Sequence, residues 1–348
     1  MYTCITSDIG GTNARFFLHE IYPDSSQSQV LLTRIYVSND HDSLEEVLEM
    51  FLAEKECRRR FPRQLVLSIA GAPKNNEIES FSNIKWPGIS GSKIANVFGF
   101  EKVTLLNDFE AVGYSASTMD FDNMYRLQDS PTPNPENYVI IGAGTGLGIV
   151  FVTKLGDKTV VVPSEGGHHY QGFASEVERD YQLYVIDKMD ELYPEKQLQY
   201  ADTEYLFCGL GLPIMYEFFH LRIKGVLPSK TLSGKEVVST FKTSEVGKEC
   251  LKFYMSVLGR VINIITKMFL FNGGRLVLAG IIGKVLHNVF DGDEERFWEM
   301  IKPFADCDPL LYTFKQKTDV FVSTTDLSEH ALEGCVNYLF QNHGSRLR

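Results

Sequence analysis

The sequence has few of the features that bind nucleic acid, cross a membrane or form a disulfide framework. Its 34 Lys and Arg residues are outnumbered by 45 Asp and Glu residues, which gives a net charge of −11. No basic stripe follows the chain, so nucleic acid is not an expected partner. No window approaches 18 uninterrupted apolar residues, and the first residues lack a basic stretch followed by an apolar one. We therefore expect a cytoplasmic protein with no membrane partner.

Cysteine is scarce, and the cysteines are far apart. The chain never forms C-x-x-C, which argues against a zinc knuckle and against a dense disulfide framework. Reduced thiols in a cytosolic core are expected instead. The six cysteines are Cys4, Cys57, Cys208, Cys250, Cys307 and Cys335.

A chain of 348 residues is long enough for two lobes of roughly 100–200 residues each. The first third alternates strand and helix signals: strands over Leu65–Ala70 and Lys102–Leu106, and a short helix over Ser90–Phe98. Val37–Glu56 has helical apolar spacing and Ser43 and Glu46 at capping-box spacing, which predicts one amphipathic helix. The first third is therefore predicted to be an α/β lobe.

The second lobe is predicted to begin with an antiparallel meander. Tyr138–Ile141, Ile149–Lys154 and Thr159–Val162 are β-branched runs with short turns between them. Ser175 with Glu178 predicts a helix start, and Val246–Leu270 predicts a long helix. Residues 327–340 have helical spacing and can return to the first lobe. The predicted domains are residues 1–117 with about 327–348, and residues 118–326.

The first glycine-rich segment, Asp8–Arg15, lies between two apolar runs and is predicted to be the tip of a hairpin. Gly10 and Gly11 permit positive φ and allow main-chain N–H groups to approach an anion without a Cβ in the way. Thr12 adds a hydroxyl donor, and Asp8 can hold a hydrated magnesium ion through water. Taken alone, the segment is equally compatible with a plain Gly–Gly hairpin turn.

A second tip repeats this pattern, because Gly142–Gly148 has four glycines in seven residues between two predicted strands. A dinucleotide-binding turn would open a helix, but here Ile149–Val152 continues as a strand. A Walker A loop is also absent, since Gly234-Lys235 is followed by Glu236 and lacks the earlier glycine. Two such tips indicate two phosphate-binding loops of another design.

The paired tips resemble the two phosphate loops of the actin, heat-shock protein and hexokinase superfamily, and the chain is most similar to the bacterial-type glucokinases. Five motifs in the family's order carry the resemblance over nearly the whole chain. They are Asp8–Arg15, Leu106-Asn-Asp-Phe109, Gly142–Gly148, Glu165-Gly-Gly-His168 and Leu278-Ala-Gly-Ile281.

The resemblance implies a fold and an activity. The fold would be α/β, a two-lobed actin-like, ribonuclease H-like ATPase fold with mixed sheets flanked by helices and the active site in the interlobe cleft. The activity would be transfer of the γ-phosphoryl group of Mg·ATP to the 6-hydroxyl of glucose, giving glucose 6-phosphate and ADP. Glucose, ATP and Mg²⁺ are the implied ligands, and a homodimer is one option for the assembly.

Asn107-Asp108 follows a predicted strand and precedes a helix start at Phe109, which exposes a carboxylate beside a helix N-terminus. The alternative is an aspartate that only caps the helix. The resemblance implies that Asp108 is the general base that takes the proton from the sugar hydroxyl.

The resemblance also implies a set of sugar-binding residues. For His168 alone, a structural imidazole is the competing interpretation, and His169 is expected to be one. A metal site at His168 is disfavoured because no further ligand recurs at metal spacing. The implied sugar-binding residues are Asn83, Asn107, Asp108, Glu165, His168 and Glu204.

The nucleotide would be held by both tips and by the turn after Leu276–Ala279. Gly280 is followed by Ile281 where the family more usually has a second glycine, and a plain buried strand and turn with Gly280 and Gly283 is the alternative. No metal ligand is expected apart from magnesium on ATP, with Asp8 reaching it through water. The implied nucleotide-binding residues are Asp8, Gly10, Gly11, Thr12, Asn13, Gly142, Gly144, Thr145, Gly146 and Gly280.

Two other functions remain open from the sequence. One is a kinase for another hexose or an amino sugar of the same superfamily, although the repressor, open reading frame and kinase group usually carries a Cys-rich zinc loop after the sugar-binding histidine. Here the next cysteine after His168 is Cys208. The other is a non-catalytic sugar sensor or actin-like scaffold, which would not need Asp108, Glu165 and His168 and which no helix-turn-helix segment supports.

Overall fold

The computed structural model describes residues 1–81, 84–131, 134, 136–156, 158–195, 197–270, 272–306 and 317–343. By its internal contacts the chain divides into two units. The first unit comprises Met1–Met119, Lys154–Pro163 and Leu327–Arg348. The second unit comprises Asp120–Thr153 and Ser164–Asp326.

The strands of the first unit form a five-stranded sheet and a small hairpin. They are β1 (Tyr2–Ile9), β2 (Asn13–Tyr22), β3 (Gln27–Val37), β4 (Gln64–Ile69), β5 (Glu77–Ser80), β6 (Pro87–Ser90) and β7 (Lys102–Asn107). The sheet has the order β3-β2-β1-β4-β7, and β5 pairs with β6. The predicted strands over Leu65–Ala70 and Lys102–Leu106 are confirmed.

The register of the sheet brings two predicted site segments to one edge. β1, β4 and β7 run parallel, with Ile9 opposite Ile69 and Ile69 opposite Asn107. β1 and β2 are antiparallel, with Ile9 opposite Ala14. The first glycine tip and Asp108 therefore follow the carboxyl ends of strands two places apart in the sheet, which is about 10 Å.

Five helices within the described part of the chain belong to the first unit. They are α1 (Leu44–Leu52), α2 (Lys55–Arg59), α3 (Gly91–Phe98), α4 (Asp108–Ser115) and the last helix, α12 (Leu327–His343). The core beneath the sheet includes Ile5, Phe16, Phe51, Leu65 and Ile94.

The prediction of one helix over residues 37–56 is wrong. β3 continues to Val37, a 3₁₀ turn follows over Ser38–Asp40, and α1 begins only after Ser43, whose side chain accepts a hydrogen bond from the N–H of Glu46. The chain then leaves helical geometry, with extended dihedral angles at Glu54, before α2. Apolar spacing located the buried face of α1 but not these breaks.

Helix α12 packs directly on α4. A Cβ atom at Gly334 would lie 1.7 Å from the carbonyl oxygen of Ala111, so this close approach requires glycine. The side-chain amide of Asn337 donates to the carbonyl of Tyr114 at 3.1 Å. This contact fixes the helix that begins with Asp108.

The remaining strands of the chain form a six-stranded sheet. Its strands are β8 (Tyr125–Gln128), β9 (Asn137–Ala143), β10 (Leu147–Leu155), β11 (Lys158–Ser164), β12 (Gly274–Gly280) and β13 (Thr318–Val322). The order is β11-β10-β9-β12-β13-β8. The three strands of the predicted meander are confirmed, whereas β8 was not predicted.

Strand β12 lies between β9 and β13 and is parallel to both. Gly280 pairs with Ala143, so the end of β12 lies beside the start of the second glycine loop. The predicted turn after Gly280 is wrong, because a helix begins at the next residue, Ile281. Gly280 makes this abrupt change possible, since its φ is 75°.

Seven helices with described bounds flank this sheet. The long helix predicted over Val246–Leu270 and the helix predicted after Ser175 are both confirmed. The two units together also confirm the predicted α/β fold class, with mixed sheets flanked by helices. Of the helices in the described segments, none combines the length and apolar character that crossing a membrane requires. The helices are α5 (Glu176–Leu192), α6 (Thr203–Phe207), α7 (Gly211–Lys224), α8 (Gly234–Thr240), α9 (Glu245–Phe269), α10 (Ile281–Val289) and α11 (Glu294–Ala305).

The five cysteines in the described segments, Cys4, Cys57, Cys208, Cys250 and Cys335, are buried and free. Cys307 lies outside the described residues.

Candidate functional site

The tip of the β1–β2 hairpin is held through its carbonyl groups. The carbonyl oxygens of Gly10 and Thr12 accept hydrogen bonds from the Oγ and N–H of Ser38 at 2.8 and 3.0 Å. The carbonyl of Gly11 accepts from the side-chain amide of Asn39 at 3.3 Å. Within the described residues the main-chain N–H groups of Gly11 and Thr12 make no hydrogen bond. Two adjacent donors are therefore available to an anion.

Ser38 is itself held in position by a buried tryptophan. Trp86 Nε1 donates to the carbonyl oxygens of Ser38 at 3.0 Å and His41 at 2.9 Å. Trp86 thus supports the first loop from behind. Asn83, the sugar-binding residue predicted next to it, lies outside the described residues.

The glycines of the two loops do not adopt positive φ, which was one of the two reasons expected for them. Gly10, Gly11, Gly144 and Gly146 are described residues, and none is among the glycines with positive φ. A Cβ added at Gly10 would meet only the carbonyl oxygen of Asn13, at 3.9 Å, and one at Gly144 would meet nothing within 4 Å. The protein's own structure does not require glycine at Gly10 or Gly144. Both positions therefore leave open space in front of the loop.

Asp8 and Arg15 form an ion pair across the base of the first hairpin. Arg15 Nη1 lies 3.0 Å from Asp8 Oδ2, and both side chains are partly buried. Asn13 opens β2. The carboxylate predicted to reach magnesium through water is therefore also bound to a guanidinium group.

Asn107, rather than Asp108, is the cap of α4. Asn107 Oδ1 accepts from the N–H groups of Phe109 and Glu110 at 2.9 and 3.1 Å, and its Nδ2 donates to the carbonyl of Gly71 at 2.7 Å. The Glu110 side chain completes a capping box. The alternative in which Asp108 only caps the helix is wrong. Asp108 is the first helical residue, where the helix dipole favours its ionised form.

The second glycine loop has the same arrangement as the first. The carbonyl of Gly144 accepts from the N–H of Gly209 at 3.0 Å, and the carbonyl of Gly146 accepts from the N–H of Gly144 at 2.8 Å. Within the described segments the N–H groups of Thr145 and Gly146 make no hydrogen bond, and Thr145 is exposed. Gly142 lies in β9. A pair of adjacent donors and a threonine hydroxyl therefore recur at both loops.

Helix α6 and the residues just after it lie directly against this loop. Glu204 Oε2 accepts from the N–H of Leu147 at 2.9 Å. A Cβ at Gly146 would lie 2.6 Å from the same oxygen, and a Cβ at Gly209 would lie 1.8 Å from the carbonyl oxygen of Thr145. Gly209 is thus required for packing against the main chain, whereas a Cβ at Gly146 would have to displace the Glu204 carboxylate.

Glu165-Gly-Gly-His168 contains a short 3₁₀ turn over Gly166–His168. Gly167 is buried, and a Cβ there would lie 1.9 Å from the carbonyl oxygen of Leu147. This close approach seats the predicted sugar-binding segment directly against the end of the second glycine loop. Glu165 is exposed, and its Oε2 lies 4.0 Å from His168 Nε2.

Three carboxylates surround the imidazole of His168. Its Nδ1 lies 2.9 Å from Asp202 Oδ2, and its Nε2 lies 3.9 Å from Glu204 Oε2. The structure therefore brings Glu165, His168 and Glu204 together as the sequence predicted.

The charge around His168 favours its protonated form. Partial burial opposes protonation, but the hydrogen bond with Asp202 and the charges of Glu204, Asp202 and Glu165 together raise the pKa of His168 above its ordinary value of 6.5. The adjacent His169 has a structural role, as predicted. Its Nδ1 contacts the carbonyl of Gly166 at 2.6 Å, and its Nε2 lies 3.2 Å from the hydroxyl of Thr203.

Asp202 was not predicted as a site residue. The sequence offered one signal, an aspartate three residues before Tyr205 at an N-cap spacing, and that signal predicts only a helix start. The contact with His168 spans 34 residues. No local pattern identifies such a partner.

Near the predicted adenosine segment, Gly283 is buried within α10. A Cβ there would lie 2.2 Å from the carbonyl oxygen of Ser323, so Gly283 is a packing glycine. A pocket of about 510 Å³ adjoins it, lined in part by Tyr125, Lys284 and His287. This pocket lies on the β13 and β8 side of β12, whereas the second glycine loop lies on the β9 side.

A family model described as Glucokinase matches residues 5–311. The chain belongs to the Glucokinase family. Family membership confirms the predicted resemblance and the predicted activity, an ATP-dependent sugar kinase that phosphorylates glucose.

Relatives from bacteria carry the same description along most of the chain. The glucokinase of Rhizobium etli is 27% identical over 290 residues, covering 82% of this chain and 79% of the relative. The glucokinase of Trichormus variabilis is 31% identical over 224 residues, covering 64% and 62%.

Solved structures of other glucokinases share the fold. A glucokinase from an Antarctic psychrotroph superposes with a TM-score of 0.73 at 21% identity, covering 97% of this chain and 99% of the other. Glucokinase from Leishmania braziliensis gives 0.75 at 17% identity, covering 98% and 93%. A ROK family glucokinase from Streptomyces griseus, solved in complex with glucose and AMPPNP, gives 0.58 at 14% identity, covering 97% and 99%. These likenesses confirm the two-lobed ATPase fold.

Proposed function

We propose that the enzyme transfers the γ-phosphoryl group of Mg·ATP to the 6-hydroxyl of glucose by direct in-line attack, with Asp108 as the general base. The products are glucose 6-phosphate and ADP, and no covalent enzyme intermediate forms. The single observation that carries this proposal is the matched design of the two glycine loops. Each offers two adjacent main-chain N–H groups and a threonine hydroxyl, while the carbonyl groups of its glycines accept hydrogen bonds from the protein.

The phosphate groups of ATP bind to these loops. The N–H groups of Gly11 and Thr12 and those of Thr145 and Gly146 donate to phosphate oxygens. Positioning and charge neutralisation of this kind supply most of the catalysis in phosphoryl transfer. The open space at Gly10 and Gly144 lets the phosphates approach the main chain closely, because a Cβ there would meet no protein atom nearer than 3.9 Å.

The sugar is bound by Glu165, His168 and Glu204, with Asn107 and Asn83 as further contacts. Ionised carboxylates accept hydrogen bonds from hydroxyl groups, and a sugar offers several such donors. The oxygen of the Asn107 side chain already accepts two main-chain hydrogen bonds, so Asn107 reaches the sugar through its amide.

Asp108 takes the proton of the attacking hydroxyl. Because Asn107 and Glu110 cap α4, the helix does not depend on the Asp108 carboxylate for its cap. An ionised carboxylate within hydrogen-bond reach of an alcohol accepts its proton as the bond to phosphorus develops. Asp108 Oδ1 also accepts from the N–H of Phe109 at 2.9 Å, which orients the carboxylate.

Magnesium arrives with the nucleotide. Among the described residues there is no group of three or more His, Cys, Asp or Glu side chains that could hold a metal ion. The phosphates and water supply most ligands of Mg²⁺ in such enzymes. Asp8 would hold the ion through water, and Arg15, 3.0 Å away, keeps the Asp8 carboxylate in place.

Adenosine lies against Gly280 and the start of α10. Gly280 neighbours Ala143 of the second loop across the sheet, so a nucleotide held at that loop passes this point. ATP as the donor is further supported by the AMPPNP complex of the Streptomyces griseus enzyme. Assembly as a homodimer remains a prediction, which sedimentation of the pure enzyme tests.

An ADP-release assay across glucose, mannose, fructose, galactose and glucosamine tests the substrate. Glucose is expected to give the highest kcat/KM, and the position of phosphorylation follows from the product's ³¹P–¹H coupling. A higher kcat/KM for glucosamine or another hexose would favour the wider kinase group instead. Folded protein in which no sugar stimulates ATP turnover would favour a non-catalytic sensor.

A further inference from the structure

We propose that Asp202 is a positioning residue that fixes the ring orientation and the tautomer of His168, so that His168 Nε2 faces the sugar. This inference rests on the proposed role of His168 in sugar binding. Asp202 itself need not touch the substrate, because it acts through the imidazole.

Both oxygens of Asp202 are engaged. Its Oδ2 accepts from His168 Nδ1 at 2.9 Å, and its Oδ1 accepts from the N–H of Tyr205 at 3.2 Å, which caps α6. The side chain is only 13% exposed. Because Oδ1 caps the helix, Oδ2 is the oxygen that binds His168. The short hydrogen bond to Oδ2 fixes the orientation of the imidazole ring.

The backbone around Asp202 is tied to the segment that carries His168. Asp202 forms an isolated antiparallel bridge with Tyr170. The N–H of Thr203 donates to the carbonyl of His169 at 3.0 Å, and the Thr203 hydroxyl donates to the same carbonyl at 2.8 Å. These bonds hold the carboxylate and the imidazole in fixed register.

The contact with Asp202 determines which ring nitrogen of His168 carries the proton. Since a carboxylate only accepts hydrogen bonds, Nδ1 must carry a proton toward Asp202. Within the described residues Nε2 makes no hydrogen bond, because the oxygens of Glu204 and Glu165 lie 3.9 and 4.0 Å away, beyond hydrogen-bond distance. Nε2 is thus held between two carboxylates, where it accepts a hydrogen bond from a sugar hydroxyl when neutral.

Asp202→Asn separates this role from helix capping. Asparagine caps helices as well as aspartate does, so its Oδ1 keeps the bond from the N–H of Tyr205. Its Nδ2 then faces His168 Nδ1 and donates to it, which moves the proton of the neutral ring to Nε2. Asp293→Asn is the matched control, because Asp293 caps α11 through the N–H of Arg296 at 3.0 Å in the same way.

Nuclear magnetic resonance of the ¹⁵N-labelled histidines in the ligand-free enzyme gives a readout that does not depend on turnover. The signals of His168 are assigned with His168→Gln. In the wild type and in Asp293→Asn, the neutral ring is expected to carry its proton on Nδ1. In Asp202→Asn the proton is expected on Nε2, and the titration midpoint is expected to fall, because one of the three carboxylates facing the ring, Asp202, Glu204 and Glu165, is neutralised.

Glucose binding gives the functional readout. Asp202→Asn is expected to raise the dissociation constant and the KM for glucose about tenfold, the usual scale for one charge-assisted hydrogen bond, while kcat changes by less than about threefold. Asp202→Ser retains a capping hydroxyl but is too short to reach His168, so it should weaken glucose binding without imposing the Nε2–H tautomer. Asp293→Asn should match the wild type.

Two results would overturn the proposal: unchanged His168 signals in Asp202→Asn, or glucose affinity in Asp202→Asn equal to that of Asp293→Asn. Thermal unfolding of both variants shows whether either has lost structure, and Asp202→Ser replaces Asp202→Asn if it has. A different result, the absence of sugar-stimulated turnover in the wild type, would contradict the proposed function. The tautomer measurement stands in either case.

Discussion

Glu204 Oε2 accepts a hydrogen bond from the main-chain N–H of Leu147 at 2.9 Å, at the point where the second glycine loop enters β10. The same oxygen lies 3.9 Å from His168 Nε2. One carboxylate therefore contacts both the predicted phosphate loop and the predicted sugar-binding imidazole. A substitution at Glu204 should therefore affect the binding of both ATP and glucose.

Glu204→Ala and Glu204→Gln are expected to differ in their effect on ATP. The alanine variant leaves the Leu147 N–H without its acceptor, so KM should rise for ATP as well as for glucose, by roughly 5- to 50-fold each. Glutamine can still accept from Leu147 through its amide oxygen. In Glu204→Gln we expect the loss to fall mainly on KM for glucose.

Glu165→Ala is the control for this pair, because Glu165 lies 4.0 Å from His168 Nε2 and is largely exposed. It should raise KM for glucose and leave KM for ATP close to that of the wild type. If Glu204→Ala and Glu165→Ala have the same kinetic profile, the Leu147 contact does not support the nucleotide loop.

The glycines of the second loop should separate into two classes on substitution. Gly144 has space for a methyl group and no positive φ, so Gly144→Ala should leave the free energy of unfolding within about 1 kcal/mol of wild type. If phosphate approaches the main chain there, KM for ATP should rise at least tenfold. Gly209 has φ of 40° and a Cβ there would lie 1.8 Å from the Thr145 carbonyl, so Gly209→Ala should destabilise by about 2 kcal/mol or more.

Urea unfolding and initial-rate kinetics on both variants test this contrast. Gly144→Ala with normal stability and normal KM for ATP would show that the loop does not lie against phosphate.

The sequence predicted the parts of the site that local patterns encode. The alternation of apolar strands around Gly10 and Gly144 predicted both hairpins, and the strand ending at Asn107 placed Asp108 at a helix start. The motif Glu165-Gly-Gly-His168 supplied Glu165 and His168, and the family resemblance outside the five motifs implied Glu204. The structure brings these three residues together. These features depend on residues close to one another in the chain.

The features of the fold and the site that were not predicted depend on contacts between residues far apart in the chain. Ser38 holds the first loop from 28 residues away. Asp202 meets His168 across 34 residues. The break between α1 and α2 was missed because apolar spacing continues across it. The capping role that was weighed as the alternative for Asp108 belongs to Asn107, because either residue type caps a helix.

His19 should make the stability of the protein depend on pH. It is buried, its Nε2 contacts the Thr6 hydroxyl at 2.8 Å, and burial lowers its pKa from 6.5 to about 4. Below pH 6.5 the unfolded chain binds a proton that the native state rejects until about pH 4. The contribution of His19 to the free energy of unfolding should therefore be constant above pH 6.5. As the pH falls below 6.5, that contribution should decrease by up to about 1.4 kcal/mol per pH unit.

Urea unfolding of wild type and His19→Gln between pH 4.5 and 8 measures this contribution. Glutamine can keep a hydrogen bond to Thr6 but does not titrate, so the stability of the variant should fall less steeply below pH 6.5. Parallel curves for the two proteins would mean that His19 is not the source of the dependence.

Asp108→Asn tests the general base with the least structural change. Because Asn107 and Glu110 form the cap, the amide should cost at most about 1 kcal/mol of stability through the helix dipole. The amide cannot accept the hydroxyl proton, so kcat should fall by roughly 10²–10⁴ while the affinities for glucose and AMPPNP change by less than about threefold. Glu294→Gln makes the same change at the first residue of α11 and should leave kcat unaltered. Turnover by Asp108→Asn at the rate of Glu294→Gln would remove Asp108 from the chemistry, whereas a joint loss of kcat and glucose affinity would assign it to sugar binding rather than proton transfer.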